Sequence, residues 1–215
     1  IGGTTMGEHI AVIVCGFFGL VQAVMLGWFN YNQKSKDEKT KLEIEDHKRK
    51  IAQKAHKSSE CRAKIYGKLW HLLEDLGAER VYIVQPHPLT TNEYLSISME
   101  VKGDGVSPMS PVIQNMPMSE VASFASELAT RDFLFYRDIE TEVKDTKARA
   151  ILTTNGSRMA VIKKLSDYDH KWIGNIFVEY THDGDLQPVE LRKHLCEAAD
   201  YIQHILPELK TYGTI

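Results

Sequence analysis

The sequence predicts an α+β fold in which a central antiparallel sheet packed by helices follows one N-terminal transmembrane helix and a charged helical stalk. Three observations predict it. The segments RVYIVQP, YLSISMEV, RMAVIKKL and WIGNIFVEYT carry the alternation and β-branched content of strands. On either side of them apolar residues recur at helical spacing, and ahead of everything lies a long run without a charge. The expected divisions are 10–29 for the membrane helix, 30–60 for the stalk and 61–210 for the soluble domain.

The uncharged run, IAVIVCGFFGLVQAVMLGWF, extends from Ile10 to Phe29. At ~1.5 Å rise per residue it covers about 30 Å, the hydrocarbon thickness of a bilayer. Glu8 precedes it and Trp28, Phe29 and Tyr31 close it like an interfacial aromatic belt, which is unlike a secretory signal peptide. Lys34, Lys36, Lys39 and Lys41 follow closely and no Lys or Arg precedes. Those loop charges predict a single pass through the inner (cytoplasmic) membrane with the soluble domain in the cytoplasm. Ala11, Cys15, Gly19, Ala23 and Gly27 recur every four residues as a ridge of small side chains, and Gln22 sits near mid-span. The ridge and the amide predict self-association in the bilayer, although Gly and Ala are common in membrane helices in any case.

In the stalk, Ile44, Ile51, Ile65 and Leu72 form a seven-residue repeat interrupted at Ser58, with Ala55, Leu69 and Leu76 at the companion position and Lys48 and Arg62 breaking it. A parallel helical stalk and a solvated spacer both fit. Residues 34–57 hold nine Lys/Arg against five Asp/Glu, and 58–215 hold seventeen against twenty-three. The basic run Lys48, Arg49, Lys50, Lys54 and Lys57 can meet membrane lipid, but Glu43, Glu45 and Asp46 dilute it and favour a solvated face, while the acidic domain excludes nucleic acid as a partner.

In the domain, CRAKIYGKLWHLLEDLGA predicts a helix with Ile65, Leu69, Leu72, Leu73 and Leu76 on one face, stopped at Gly77. RVYIVQP is a strand closed by Pro86 and Pro88. YLSISMEV places Leu95, Ile97, Met99 and Val101 in period two. GDGVSPMSPVIQNMP is irregular, and Ser119 then caps a short helix, VASFASELA. After a polar segment, RAILTTN and RMAVIKKL form a hairpin turning on Asn155-Gly156, and WIGNIFVEYT follows. A last helix, from about Pro188 to His204, presents Val189, Leu195, Ala199, Ile202 and Ile205. The expected sheet carries its helices on one face.

The order of these elements, with LEDLGAERVYIVQPH opening the sheet, MEVKGDGVSP returning and GSRMAVIKKL with KWIGNIFVEYT late, resembles a GAF-type domain over roughly 60–208. The whole layout, one span, charged stalk, small domain and amphipathic last helix, is similar to the holins of T-even bacteriophages. Those holins place the soluble domain in the periplasm, which the loop charges here oppose. The first resemblance implies a domain that binds small molecules over its sheet, or a regulatory partner.

No catalytic template is met, so an enzyme is not expected. Gly103-Asp104-Gly105 reads as a turn, and Asp167, Asp169 and His170 as a turn rather than a metal site. His194 and His204 are too far apart to share a metal, and His87 reads as a solvated loop residue. Thr90, Thr91, Asn92 and Tyr94 can border a pocket. Cys15, Cys61 and Cys196 read as free thiols, and neither Cys61 nor Cys196 falls in a pocket loop. No cofactor is expected. The leading functional reading is a non-enzymatic membrane protein, homo-oligomeric through Ala11, Cys15, Gly19, Gln22, Ala23 and Gly27, whose GAF-like domain binds a regulatory partner or ligand. The alternative is a holin-type protein that permeabilises the inner membrane, its soluble domain regulating lysis timing.

Overall fold

A computed structural model describes residues 44–51, 53, 56–88, 90–184 and 186–206, with Met25 and Trp28. Among these no helix is long and apolar enough to cross a membrane; the predicted span, apart from Met25 and Trp28, lies outside them, and so does its association ridge. The chain divides into two units, Ile1–Lys57 and Ser58–Ile215. In the first, residues 44–51 are helical, with Ile44 and Ile51 about half exposed.

The second unit opens with α1 (58–75). Its buried face carries Ile65, Leu69, Leu72 and Leu73, and Gly77 ends it at φ 58°. Ile65 and Leu72 continue the seven-residue row of the stalk, yet both belong to the core of this unit. Within the domain that row is buried in the unit's own core.

Six strands follow: β1 Arg80–His87, β2 Tyr94–Lys102, β3 Met116–Pro117, β4 Phe133–Tyr136, β5 Met159–Ser166 and β6 Trp172–Tyr180. They lie in the order β3-β2-β1-β6-β5-β4 with every pair antiparallel. The helices are α2 Ala122–Thr130, entered by a 3-10 turn at Met118–Val121, then α3 Ile139–Glu142, α4 Thr146–Thr154 and α5 Pro188–Ile202.

Helices cover both faces of the sheet, not one. α1 and α5 pack on Val81, Ile83, Val161, Ile176 and Val178. α2, α3 and α4 pack on Tyr82, Val84, Ala160, Ile162 and Phe177. Double coverage explains why β1, β5 and β6 read as nearly unbroken apolar runs. In β2 the strict alternation fails, because a bulge opposite Ile83 and Val84 adds one residue at Ser98. Leu95 and Ile97 therefore face α2, while Met99 and Val101 face α1.

The expected Asn155-Gly156 hairpin is instead the end of α4. Asp145 caps that helix from the Lys147 and Ala148 N–H groups, Ala148 and Leu152 are buried, and Gly156 takes φ 83° just past the end. Asn-Gly suits a helix terminus as well as a hairpin, since both need a left-handed residue. Ser119 does not cap α2, whose cap position is Val121, with no side-chain bond. In α5 Val189 is 84% exposed, outside the core face of Leu191, Leu195 and Ile202.

Gly174 lets β6 approach β1: at φ 155° a Cβ there would lie 2.7 Å from the Val84 carbonyl oxygen. Gly174→Ala is expected to lose about 2–3 kcal/mol of unfolding free energy through that clash and the backbone strain. Urea denaturation checks it, and an unchanged midpoint would show that the two strands can separate without cost.

Candidate functional site

The sheet face bearing Val84 and Phe177 is roofed by α2 and α4. Between roof and sheet lies a cavity of about 20 Å³, lined only by apolar side chains, among them Val84, Leu95, Phe124, Leu128, Leu152 and Phe177. That space is of the order of one water molecule, and an apolar lining offers a water no partner. Aromatic rings fill the rest: Phe177 stacks on Tyr82 with centroids 4.9 Å apart, and Phe124 lies 6.3 Å from Phe177 and 6.4 Å from Tyr136.

The roof is fastened by polar bonds at its margins. Asp145 Oδ1 accepts from the Lys147 and Ala148 N–H groups of α4, while Oδ2 accepts the Ser123 hydroxyl at 2.7 Å and the Phe124 N–H at 3.4 Å in α2. One carboxylate thus joins both roof helices. Asn175 of β6, fully buried, donates to the Leu128 carbonyl at 3.0 Å and accepts from Trp172 Nε1 at 2.8 Å. The Tyr136 hydroxyl donates to Glu127 at 2.6 Å, and burial and that acidic partner push its pKa upward.

Burial works to raise the Asp145 pKa, but the bonds donated by Ala148, Ser123, Phe124 and Lys147 outweigh it and hold the carboxyl below its usual range. A depressed folded-state pKa gives stability that is complete above the unfolded value and lost as pH falls through the folded one. Asp145→Ala is expected to cost about 2 kcal/mol at neutral pH, the upper range for a cap. The gap to wild type should narrow in acid below about pH 4. Denaturation midpoints across pH test this, and a gap independent of pH would remove the carboxylate from the account.

Beside the roof lies a buried charged knot. Arg80 in β1 faces Glu179 in β6 across the register, and both are fully buried. Arg80 Nη2 lies 2.8 Å from Glu179 Oε2 and donates to Ser157 Oγ at 2.5 Å. Its Nη1 donates to the carbonyls of Ser107 at 3.1 Å and Asn155 at 3.0 Å. Glu179 also accepts the Tyr82 hydroxyl, and the Ser157 hydroxyl at 2.8 Å. Burial pushes the Glu179 carboxyl upward, opposed by Arg80 and the donated hydrogen bonds. Burial, then Glu179, raise Tyr82 well above the usual phenol range. Enclosed on every side, the knot ties the β2–β3 loop and the end of α4 to the sheet, which is a positioning task.

His87 is buried rather than solvated, because β1 continues through Pro86 and pairs His87 with Tyr94. The two rings stack at 5.8 Å. Ser96 Oγ accepts the Asn115 N–H at 2.7 Å and lies 2.7 Å from His87 Nε2. Burial lowers the His87 pKa, and which of the two groups donates in the Ser96 contact depends on the ring tautomer. A Ser–His contact can activate a nucleophile, but both residues are buried and no acid orients Nδ1. The contact holds the β2–β3 loop to the sheet.

Thr91 and Asn92 sit in the turn after His87, their N–H groups donating to the Pro88 carbonyl, away from the cavity under the roof. Asp167 accepts the Asp169 and Lys171 N–H groups at 2.9 and 2.8 Å, so that cluster is a turn. Gly103-Asp104-Gly105 is also a turn. Among the described residues no cluster of His, Cys, Asp and Glu could hold a metal ion. Cys61 and Cys196, both half-buried, lie on α1 and α5, the helices of the opposite face. Sequence reasoning missed Arg80, Tyr82, Glu179 and Asp145. The signal for Glu179 was a charge embedded in an otherwise apolar strand, as in IFVEY, whereas Arg80 opens its strand beside Glu79 and carried no such signal.

No family model matches the sequence, and no curated protein does. Solved structures are similar to the fold. The GAF3 domain of a Synechocystis protein, in its photoproduct state, matches at TM-score 0.55 and 12% identity over 66% of this chain and 90% of that one. The blue-light-absorbing PixJ GAF domain of Thermosynechococcus elongatus matches at 0.55 and 12% identity over 69% and 88%. A domain of a putative two-component sensor histidine kinase of Sinorhizobium meliloti matches at 0.50 and 11% identity over 65% and 87%. The fold is therefore GAF-like, and at these identities the likeness extends to the fold alone.

Proposed function

We propose that the domain is a non-catalytic regulatory module that works through a protein partner, with residues 10–29 holding it at the inner membrane. The filled cavity carries this reading: with about 20 Å³ under the roof and no polar group in its lining, nothing there fits a small ligand of ordinary size. A module without room for a ligand under its roof can transmit by contact at its surface. In this reading Ala11, Cys15, Gly19, Gln22, Ala23 and Gly27 bring copies together in the bilayer, and the loop charges keep the domain in the cytoplasm. The test is titration of the purified full-length chain with biliverdin, cyclic nucleotides and fatty acids, for which no saturable binding is expected. Saturable binding of any of them, lost on filling the cavity by Ala148→Leu, would overturn the reading.

A second reading, a holin-type lysis protein, is favoured by the small-residue ridge with Gln22 at mid-span. A topology reporter fused after Ile215 separates the two. Cytoplasmic activity supports the regulatory module; periplasmic activity together with abrupt growth arrest on expression supports the holin.

A further inference from the structure

β2 keeps most of its outer edge open. β3 pairs with it only at Tyr94 and Leu95. Ile97 is then met by the loop, its N–H donating to the Ile113 carbonyl at 2.9 Å and its carbonyl accepting from Gln114 Nε2 at 3.0 Å. From Ser98 to Lys102 no described strand lies on that side. A groove of about 400 Å³ runs there instead, lined by Tyr66, Ser98, Met99, Glu100, Lys102 and Pro108. Its floor is β2, one wall is Tyr66 of α1, and the other is the loop around Pro108. Glu100 fixes that second wall, its two oxygens accepting the Met109 and Ser110 N–H groups at 2.6 and 3.0 Å.

An open sheet edge is a template for one more strand, and natural edges are usually blunted. Charge bears on which strand can enter. A second copy of this chain would bring the same α1 cations and the same Lys102 to this edge, so like charges would meet. A free extended segment can enter. Charge selects it further. Between residues 61 and 71 α1 holds Arg62, Lys64 and Lys68, all exposed, and no carboxylate. Arg62 and Trp70 lie one turn before and after Tyr66 on the same helix face, with Trp70 48% exposed. Lys102 is exposed at the end of β2. Glu100 is engaged by its two N–H donors, which leaves Asp104 as the acid nearest Lys102 in sequence.

We propose that the Ser98–Lys102 edge of β2 binds an extended acidic segment of a partner protein by strand addition, an apolar residue of that segment lying on Tyr66. The proposal rests on the reading of the domain as a partner-binding module. Backbone bonds to β2 hold the segment, and Arg62 and Lys102 select its acidic side chains.

The test uses the full-length chain in detergent micelles and the synthetic peptide acetyl-EVEVTVE-amide. Three comparisons accompany it: a version with lysine for glutamate, versions N-methylated at alternate residues in each register, and the chain carrying Arg62→Glu with Lys102→Glu. The expected result is saturable binding that slows amide exchange between Ser98 and Lys102. It should weaken by about tenfold or more with the lysine peptide and with the charge-reversed chain, and be lost in at least one N-methylated register. Equal binding of the lysine peptide overturns the acidic selection. Equal binding of both N-methylated peptides overturns strand addition, and no binding of any peptide overturns the site. The small-ligand titration reads the cavity under α2 and α4, so each proposal can fail separately.

Discussion

Arg80→Met is expected to destabilise the domain by about 3–5 kcal/mol, the cost of leaving a buried charge without its partner. The variant removes the ion pair to Glu179 and the bonds to the Ser107 and Asn155 carbonyls while keeping most of the side-chain volume. Burial then acts on Glu179 without the opposing guanidinium, so its pKa rises further above the carboxylate range than in wild type. A folded-state pKa above the unfolded one stabilises most at low pH, and that contribution is lost as pH rises through the folded value. The variant should therefore lie closest to wild type near about pH 4 and furthest above neutrality. Urea midpoints measured across that range test the prediction. A variant as stable as wild type at every pH would mean that the knot contributes nothing. Pairing the change with Glu179→Leu should recover part of the loss, because the orphaned carboxylate is then gone, although the Tyr82 and Ser157 hydroxyls lose their acceptor.

Phe124→Ala is expected to cost about 3–5 kcal/mol and to change what the domain binds. Its ring is 7% exposed and fills the space between α2 and the sheet against Phe177 and Tyr136. Removing it takes away apolar burial and leaves a void that a roof fastened by Asp145 and Asn175 cannot collapse to fill. An apolar void of that kind stays dry and admits small apolar molecules. Benzene or indole should stabilise the variant and leave wild type unaffected, read as a shift in thermal midpoint. Loss of stability without any rescue would mean that the roof settles onto the sheet, and the fastenings would be weaker than their geometry states.

The elements that sequence reasoning placed correctly are those whose signals are local. Gly77 stops α1, the alternation in RVYIV and the β-branched run in WIGNIFVEY mark strands, and Pro188 opens α5. The errors arise where a partner distant in sequence decides. RAILTT has strand-like composition, and what makes it a helix is Asp145, whose carboxylate also serves Ser123 and Phe124 in another helix. FLFY lies within a charged segment and becomes β4 because β5 presents an edge at Ala160–Lys163. The bulge in β2 follows from its pairing with β1, so the switch of Met99 to the opposite face is invisible in YLSISMEV alone. The cavity shows the same division. Its apolar lining is evident residue by residue, but its small volume depends on how α2 and α4 are tied down. The groove beside β2 was not legible at all, because it depends on β3 being only two residues long.

The place of β1 in the sheet, between β2 and β6, carries a consequence for synthesis. A chain leaving the ribosome can pair β1 with β2 as soon as Lys102 has emerged, but the other edge of β1 waits for β6, which ends at Tyr180. Through that interval an apolar strand edge stays uncovered and the guanidinium of Arg80 has no counter-charge to bury against. Contacts this distant along the chain close slowly and leave such edges exposed to other nascent chains. Closure of the sheet around β1 therefore waits on β6, and a premature stop before β6 is expected to leave that edge of β1 uncovered.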